Sequence, residues 1–347
     1  QLAARHGVQH DPEVFACALS RFGDFFGPES YIQLRFAEWQ MPPCCAPALG
    51  AEASTSRARR QLNVRAEICT DLSDEASPRD SGAARALRAA LESAGEQSAD
   101  EAPMVSFMLE LLQAVPTRAA GVDLDPARGL AKLWHFGAGL TVGALCGRPA
   151  APGALQALRP FLRRHGFARV FCVGINLLDA SANVYFRLHE GGTKSPEVVC
   201  TMLEELGLAP PTDSDTRRFL AGPGTFALTV RWDAPECERL CFYLAPQLPD
   251  RGKPPRYIEA FMDECALPAG PTEPHLVHPA NVCFVARSFG RHPGVHLKQE
   301  SDWQGAYHDF LHRIAGPDFW VEPAAASPFG GASEGAPPSP AGTPLHG

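Results

Sequence analysis

The chain has 347 residues, of which 45% are hydrophobic, with a formal net charge of -8 and a pI near 5.8. Its Lys and Arg residues are scattered rather than clustered, which argues against a nucleic-acid-binding surface. No run of about 18 apolar residues occurs, and the first residues contain no apolar leader, so we expect neither a membrane helix nor a signal peptide. We therefore predict a cytosolic protein.

The eleven cysteines are an odd number and lie mostly inside apolar, strand-like runs. A reduced thiol in such a run behaves as a small hydrophobic group. Their spacing does not match a zinc-binding pattern, so we expect core thiols and no metal site.

Apolar periodicity changes along the chain between a helical pattern and the strict alternation of strands. A helix pattern at 11–26 precedes alternation at 31–38 and 61–69, and helix patterns at 83–94 and 104–114 precede strands at 119–125 and 130–138. A helix at 154–165 precedes strands at 169–177 and 182–188, and one at 195–206 precedes strands at 225–232 and 238–244. The last unit combines a helix at 256–266, strands at 281–288 and 295–301, and a closing helix at 303–314.

These five helix-strand-strand units predict antiparallel hairpins, each covered on one face by its helix. Ten such strands could close into an α+β barrel, which removes exposed sheet edges and encloses a cavity wide enough for two small ligands. An open α+β sheet is the alternative architecture. We predict that the barrel domain spans 1–320 and that the Pro, Gly and Ala-rich segment 321–347 is a disordered, dispensable tail.

Five short motifs, in the same order along the chain, resemble the soluble aromatic prenyltransferases of the ABBA type, which include clorobiocin-type and naphterpin-type bacterial enzymes and fungal relatives. The most specific are ANVYF at 182–186, which is similar to the family's VNLYF strand, and ERLCF at 238–242, which is similar to its DRLCF strand. EELGL at 204–208, KLWHF at 132–136 and HLKQE at 296–300 also resemble family segments. The resemblance spans about 10–315.

The resemblance implies a ten-stranded antiparallel barrel surrounded by helices, with both substrates bound at its centre. It implies an enzyme of secondary metabolism that transfers a dimethylallyl or geranyl group from its diphosphate to an electron-rich aromatic small molecule by Friedel-Crafts-type alkylation. We expect a monomer that binds an isoprenyl diphosphate donor and an aromatic acceptor.

Charged and polar residues at the matching positions fit the diphosphate end of such a site. An isoprenyl diphosphate loses an anionic leaving group while its allylic carbon becomes cationic, so fixed cations are needed at one end. The resemblance implies that Lys132, Arg239 and Lys298 supply them, with Asn183 and Tyr185 as hydrogen-bond donors. Residues two apart on a strand share a face, which puts each of these groups on one side of its strand.

Other residues are assigned to the second substrate and to the proton. Glu300 shares a face with Lys298 and is a candidate to orient a phenol or accept its proton, with a salt bridge to Lys298 as the alternative. Aromatic and apolar residues shield the allyl cation and shape the pocket for the prenyl group and the acceptor; they are Trp134, Phe136, Phe171, Cys241 and Phe242.

Two departures from the family pattern bear on the chemistry. Asn63 stands where magnesium-dependent members carry an aspartate, and a neutral carboxamide is a poor ligand for Mg²⁺. We therefore predict that Mg²⁺ is not required, with Arg65 or the neighbouring Arg57 and Arg59 helping to replace the ion. Asp123 and Asp125 resemble hairpin residues rather than metal ligands.

The second departure favours an alternative function. Asp179 stands where relatives often have a diphosphate-binding lysine, and Ala227 stands where they have a tyrosine that contacts phosphate. An acidic residue facing the diphosphate would repel it. A non-catalytic barrel that binds an isoprenoid or aromatic ligand, and an α+β protein built for interaction, are therefore kept as alternatives.

Overall fold

The computed structural model describes residues 9–26, 31–41, 59–69, 81–95, 102–188, 194–211, 220, 224–244, 282–291 and 295–302. Its helices are α1 Pro12–Arg21, α2 Gly82–Gly95, α3 Ala102–Ala114, α4 Val142–Cys146, α5 Gly153–Ala157, α6 Arg159–Arg164 and α7 Pro196–Glu205, with a 3₁₀ turn at Gly23–Phe26. The helices predicted at 256–266 and 303–314, and the predicted tail at 321–347, lie outside these residues.

The ten strands are β1 Tyr31–Met41, β2 Arg59–Cys69, β3 Thr117–Asp125, β4 Gly129–Gly137, β5 Cys172–Asn176, β6 Ser181–Arg187, β7 Thr225–Arg231, β8 Cys237–Leu244, β9 Val282–Gly290 and β10 Val295–Asp302. Each strand pairs antiparallel with the next along the chain, and β1 pairs with β10. The predicted closed antiparallel barrel is therefore confirmed, and the open sheet is wrong. Closure leaves none of these ten strands with an unpaired edge.

The helix starts follow local capping chemistry. Asp11 accepts hydrogen bonds from the backbone N–H groups of Glu13 at 3.0 Å and Val14 at 3.2 Å, and Pro12 occupies the first turn of α1. Ser195 caps α7 in the same way, again with a proline at the first position. Such residues satisfy N–H groups that have no partner within the helix.

Between β4 and β5 the sequence prediction was only partly right. The single helix predicted at 154–165 is two short helices, α5 and α6, because Pro160 cannot donate the backbone hydrogen bond that would continue the first one. An additional short helix, α4, begins after Thr141, whose hydroxyl accepts from the Ala144 N–H at 3.1 Å. The strand predicted from 169 begins at Cys172.

Alternate residues of the strands face either the helices or the lumen of the barrel. The outward side chains form one hydrophobic core with the helices, to which α2, α3 and α7 contribute Leu87, Leu111 and Leu203. No helix in the described part of the chain is both long enough and apolar enough to span a bilayer.

Phe242 belongs to this outer core, so the prediction that it lines the substrate pocket is wrong. Its ring centroid lies 5.9 Å from that of Phe226 and 5.8 Å from that of Phe289, and all three are in the helix-facing layer. The physical reason is the period of two along β8. Because Cys241 and Tyr243 face inward, Phe242 between them must face outward.

Candidate active site

Trp134 on β4 is the centre of the described part of the lumen. The ammonium of Lys132 lies 3.9 Å from the centroid of its ring, and the guanidinium carbon of Arg65 lies 4.2 Å from it. The indole Nε1 donates a hydrogen bond to Asp123 Oδ1 at 3.0 Å. Two cations and one carboxylate therefore contact a single aromatic ring, and the cation contacts are stabilised by its quadrupole.

Arg65 and Asp123 form a buried, two-pronged ion pair. Arg65 Nε donates to Asp123 Oδ1 at 2.6 Å, and Nη2 donates to Oδ2 at 3.1 Å. The two side chains are only 6% and 1% exposed, so water does not solvate their charges. Each charge is instead stabilised by the other. Asp123 is therefore a lumen residue as well as a residue of the β3–β4 hairpin, in which it pairs with Lys132.

Two glycines make room for the Trp134 ring. Gly121 on β3 and Gly174 on β5 are its register partners on either side. A Cβ at Gly174 would lie 2.5 Å from Lys132 Cε and 3.1 Å from Trp134 Cε3. A side chain here would displace both groups, which explains the glycine in a strand interior.

A second cluster joins β6, β8 and β10. The hydroxyls of Tyr185 and Tyr243 lie 3.1 Å apart, and the ammonium of Lys298 donates to the Tyr243 hydroxyl at 2.6 Å. Lys298 also lies 4.4 Å from the centroid of the Tyr243 ring. Tyr243 was absent from the predicted set, although its spacing of two residues from Cys241 could have indicated it.

A third cluster joins β6, β7 and β8. The Thr229 hydroxyl donates to Asn183 Oδ1 at 2.8 Å and accepts from Arg239 Nε at 3.3 Å. Asn183 is held in register between Gly174 and Thr229, so the barrel brings it onto the same inner wall as Trp134. Lys132, Asn183, Tyr185, Arg239 and Lys298 thus all face one lumen.

An open pocket lies next to these clusters. Phe136 and Phe171 line it, and their rings meet edge to face with centroids 5.8 Å apart. Cys241 is buried on the lumen side of β8 but is not among the residues that line this pocket. The lining residues are Arg65, Glu67, Trp134, Phe136, Phe171, Cys172, Tyr185, Thr225, Tyr243 and Phe284.

Asp179 is held by its own hairpin. Its carboxylate accepts from Asn176 Nδ2 at 2.9 Å and from the Ser181 hydroxyl at 2.6 Å, and the residue is exposed at the β5–β6 turn. These bonds tie the negative charge to the turn. Ala227 lies in register between Tyr185 and Cys241, where its methyl group leaves space in the lumen.

Two predicted residues are described only by their backbone. Glu300 on β10 pairs with Phe284 on one side and Arg35 on the other, and Asn63 on β2 pairs with Arg35 on β1. Their side chains lie outside the described part of the chain. Among the residues that are described, no three His, Cys, Asp or Glu side chains come together as a metal site.

Two buried cysteines and one buried histidine have pKa values that are shifted by burial. Cys146 and Cys237 are buried free thiols, and burial raises their pKa to about 11 and about 12. His135 faces the helices beside Trp134, and complete burial lowers its pKa to about 4. A neutral His135 shares a hydrogen bond with Thr117 Oγ1 at 3.2 Å.

A closed antiparallel barrel with cations, hydroxyls and aromatic rings inside has the features implied for soluble aromatic prenyltransferases. The chain belongs to this class: it is a member of the aromatic prenyltransferase Orf2 family, whose model matches residues 86–314.

Similar curated proteins carry related names. A 4-hydroxyphenylpyruvate 3-dimethylallyltransferase of Streptomyces niveus is 29% identical over 60% of this chain and 62% of its own length. An aromatic prenyltransferase of Botryotinia fuckeliana is 29% identical over 37% of this chain and 42% of its own. A 5,10-dihydrophenazine-1-carboxylate 9-dimethylallyltransferase of Streptomyces anulatus is 27% identical over 40% of this chain and 48% of its own length. The chain thus spans less than two thirds of each of these relatives.

Solved structures with a similar fold include 5-dimethylallyltryptophan synthase from Streptomyces coelicolor. It is 12% identical, with a TM-score of 0.47, and the match covers 84% of this chain and 91% of that one. The 6-dimethylallyltryptophan synthase from Micromonospora olivasterospora is 11% identical, with a TM-score of 0.41, and the match covers 80% of this chain and 82% of that one.

Proposed function

We propose that this chain transfers a prenyl group, with dimethylallyl as the first candidate, from its diphosphate to an electron-rich aromatic small molecule. The observation that carries the proposal is the meeting of three polar clusters with aromatic rings inside one closed barrel. The names of two relatives state a dimethylallyl transfer and an aromatic acceptor, which favours this donor over geranyl diphosphate.

The cations suit the diphosphate end of the reaction. Lys132, Lys298 and Arg239 face the lumen from different strands, so they can surround an anion and stabilise the charge that develops as it leaves. The hydroxyls of Tyr185 and Tyr243 add fixed hydrogen-bond donors beside Lys298. The phenol of Tyr243 on β8 supplies a hydroxyl that Ala227 on β7 lacks.

The aromatic rings suit the allylic cation and its acceptor. The rings of Trp134 and Tyr185 have centroids 5.3 Å apart, and both line the pocket. Their π faces stabilise a passing carbocation, and the closed wall excludes the water that would capture it. Phe136, Phe171 and Phe284 give the pocket the apolar surface that a flat acceptor ring needs.

We propose that the reaction proceeds without Mg²⁺. Asn63 offers no carboxylate at its position on β2, and the carboxylate of Asp123 is already engaged by the guanidinium of Arg65. Arg65 thereby contributes a fixed positive charge beside Trp134. A role for Glu300 in orienting the acceptor, a monomeric state and a cytosolic location stay predictions.

The test is product detection by mass spectrometry. The purified protein is incubated with dimethylallyl or geranyl diphosphate and a panel of phenols, naphthols, indoles and phenazines, with and without EDTA. We expect a mass increment of one prenyl group that persists in EDTA. In Arg239→Ala we expect a rate about 100-fold lower, whereas Arg164→Ala, on the exposed face of α6, keeps the wild-type rate.

The outcomes separate the alternatives. Activity that disappears in EDTA would contradict the metal-free proposal while leaving the transferase intact. Tight binding of diphosphate donor and acceptor without any product would favour the non-catalytic barrel. The bonds that hold Asp179 at its hairpin turn weaken the main argument for that alternative.

A further inference from the structure

A row of register partners on three neighbouring strands crosses the lumen wall at the diphosphate end of the proposed site. Asn183 on β6 pairs with Thr229 on β7, and Thr229 pairs with Arg239 on β8. Asn183 pairs on its other side with Gly174 on β5. Arg239 pairs on its other side with Gly290 on β9. The polar side chains of this row therefore lie next to one another, between two positions that carry no side chain.

Thr229 is the middle residue of this row, and the proposed reaction assigns it no role. It is 1% exposed, and its hydroxyl donates to Asn183 Oδ1 at 2.8 Å and accepts from Arg239 Nε at 3.3 Å. Valine has nearly the same shape and is also favoured in strands, so packing alone does not require a hydroxyl here. A buried hydroxyl is costly unless it is hydrogen-bonded. The two bonds that Thr229 makes are therefore the physical reason for threonine at this position.

The two hydrogen bonds of Thr229 run in one direction along the row. A guanidinium has donors and no acceptor, so the Thr229 oxygen accepts from Arg239. The same hydroxyl gives its one proton to the carbonyl oxygen of the Asn183 amide. The bonds therefore run from Arg239 through Thr229 to Asn183, and they use neither N–H group of the amide.

This direction fixes which end of the Asn183 amide a ligand meets. An asparagine side chain can present either its acceptor oxygen or its two N–H donors. Because Thr229 holds Oδ1, the Nδ2 end is turned away from β7, and it makes no hydrogen bond to any described residue. A Cβ at the neighbouring Gly174 would lie 2.5 Å from Lys132 Cε, so the lysine side chain crosses β5 beside Asn183. The row thus adds amide donors next to a cation of the site.

We propose that Thr229 is a positioning residue for the diphosphate, whose hydroxyl orients Arg239 and Asn183 so that both present N–H groups to the leaving group. This inference rests on the proposed function. An ionised diphosphate offers acceptor oxygens, so it matches a surface made of donors. An amide oxygen turned to the same anion would give no hydrogen bond and would be repelled by it. Thr229 acts on the anion through its two neighbours.

The experiment replaces Thr229 by valine, which removes the hydroxyl and keeps the shape, and by serine, which keeps the hydroxyl. Binding of inorganic pyrophosphate in EDTA, measured by isothermal titration calorimetry, reports on the donor surface without turnover. We expect Thr229→Val to bind pyrophosphate about 10-fold more weakly than wild type, because hydrogen bonds to a charged ligand are misaligned, and Thr229→Ser to bind it within about threefold of wild type.

The matched control removes a hydroxyl elsewhere in the chain. Thr201 lies on the exposed face of α7, where its hydroxyl donates to the carbonyl oxygen of Glu197 at 3.1 Å. Thr201→Val makes the same chemical change as Thr229→Val at a site that no substrate contacts. It should bind pyrophosphate as the wild type does, and thermal unfolding should show that all three variants are folded at the assay temperature.

A second ligand separates positioning from general damage to the barrel. Binding of a naphthol, measured by quenching of Trp fluorescence, should be the same in wild type and Thr229→Val, because the row serves the diphosphate and not the acceptor. In turnover, kcat/KM for dimethylallyl diphosphate should fall by about 10-fold in Thr229→Val, with the KM for the naphthol unchanged. In an Asn183→Ala background, Thr229→Val should weaken pyrophosphate binding less than it does in wild type, since the amide is already gone.

Equal pyrophosphate affinities of wild type and Thr229→Val would overturn the assignment of Thr229, whether or not the protein is active. Parallel losses of pyrophosphate and naphthol affinity in Thr229→Val would also overturn it, because the hydroxyl would then support the fold. A pyrophosphate affinity that depends on the Thr229 hydroxyl, in a protein that makes no product from any acceptor, would instead contradict the proposed transferase and leave Thr229 as the positioning residue of an anion site.

Discussion

The two faces of the barrel wall come from the same strands but differ in chemistry. On β4, Lys132 and Trp134 face the lumen, whereas Leu133 and His135 between and beside them face the helices. The inner groups are charged and joined by hydrogen bonds and ring contacts, and the outer groups are packed and neutral. The comparison teaches that a shift of one residue along a strand separates a position in the lumen from a position in the hydrophobic core.

The largest expected effect is the loss of the buried charge pair. Asp123→Ala leaves the Arg65 guanidinium buried without the carboxylate that accepts two of its hydrogen bonds. We expect the free energy of unfolding to fall by about 5 kcal/mol, as when one partner of a buried pair is removed. Urea unfolding measures this loss.

The matched double variant Arg65→Met/Asp123→Ala should recover part of that stability, because the buried guanidinium no longer lacks its hydrogen-bond acceptor, but should not recover turnover. If Asp123→Ala unfolds at the wild-type urea concentration, the lumen charges are not coupled as the hydrogen bonds indicate.

A substitution on the helix-facing side of the barrel wall should change stability through packing alone. Phe242 is fully buried between Phe226 and Phe289, so Phe242→Ala should lower the free energy of unfolding by about 4 kcal/mol through the cavity that it creates. Turnover per folded molecule, measured well below the unfolding temperature, should stay within about twofold of wild type. A selective loss of turnover would place Phe242 back at the substrate pocket.

His135 should make stability depend on pH. Burial lowers its pKa from 6.5 to about 4, so it is neutral in the folded state at pH values where the unfolded chain binds a proton. The contribution of neutral His135 to the free energy of unfolding is present above pH 6.5. It is lost progressively as the pH falls towards 4, by about 3 kcal/mol in total.

His135→Gln keeps a side chain that can hydrogen-bond to Thr117 but removes this titration. Denaturant unfolding at a series of pH values should therefore show that the free energy of unfolding changes less steeply with pH in His135→Gln than in wild type over that range. Identical slopes would contradict a buried neutral imidazole on the outer face.

The smallest expected effect concerns the space around Trp134. Gly174→Ala adds a methyl group 2.5 Å from Lys132 Cε, so the lysine and the indole must move. We expect a stability loss of about 2 kcal/mol, typical of overpacking, and a drop in kcat/KM. Gly153→Ala, where the added Cβ meets nothing within 4 Å, is the control. Wild-type kcat/KM in Gly174→Ala would show that the position of the ring is not critical.

Much of this architecture can be predicted from the sequence, because apolar residues recur at every second position in a strand and with a different spacing in a helix. All ten strands and the inward direction of Lys132, Tyr185 and Lys298 follow from that alternation combined with the family resemblance. The motif ERLCF, by contrast, led us to put Phe242 in the pocket with Cys241. Both faces of β8 are buried, so hydrophobicity alone does not identify the outer one.

The ion pair between Arg65 and Asp123 could not be predicted from the sequence. Arg65 and Asp123 are 58 positions apart in the chain, and only the pairing of β2 with β3 brings them together. Asp123 precedes a hairpin turn, where aspartate is common, so its local context gave no sign of a partner on β2. Glu67 was not predicted, because only the pairing of β2 with β3 places it against Gly121.

The most direct measurement compares turnover per folded molecule in Lys132→Met and Leu133→Ala, two neighbours on opposite faces of β4. We predict that Lys132→Met lowers prenyl transfer by about 100-fold or more with little change in Tm, and that Leu133→Ala lowers stability by about 3 kcal/mol with turnover retained. If Leu133→Ala loses turnover as severely as Lys132→Met, the lumen of this barrel is not where the chemistry takes place.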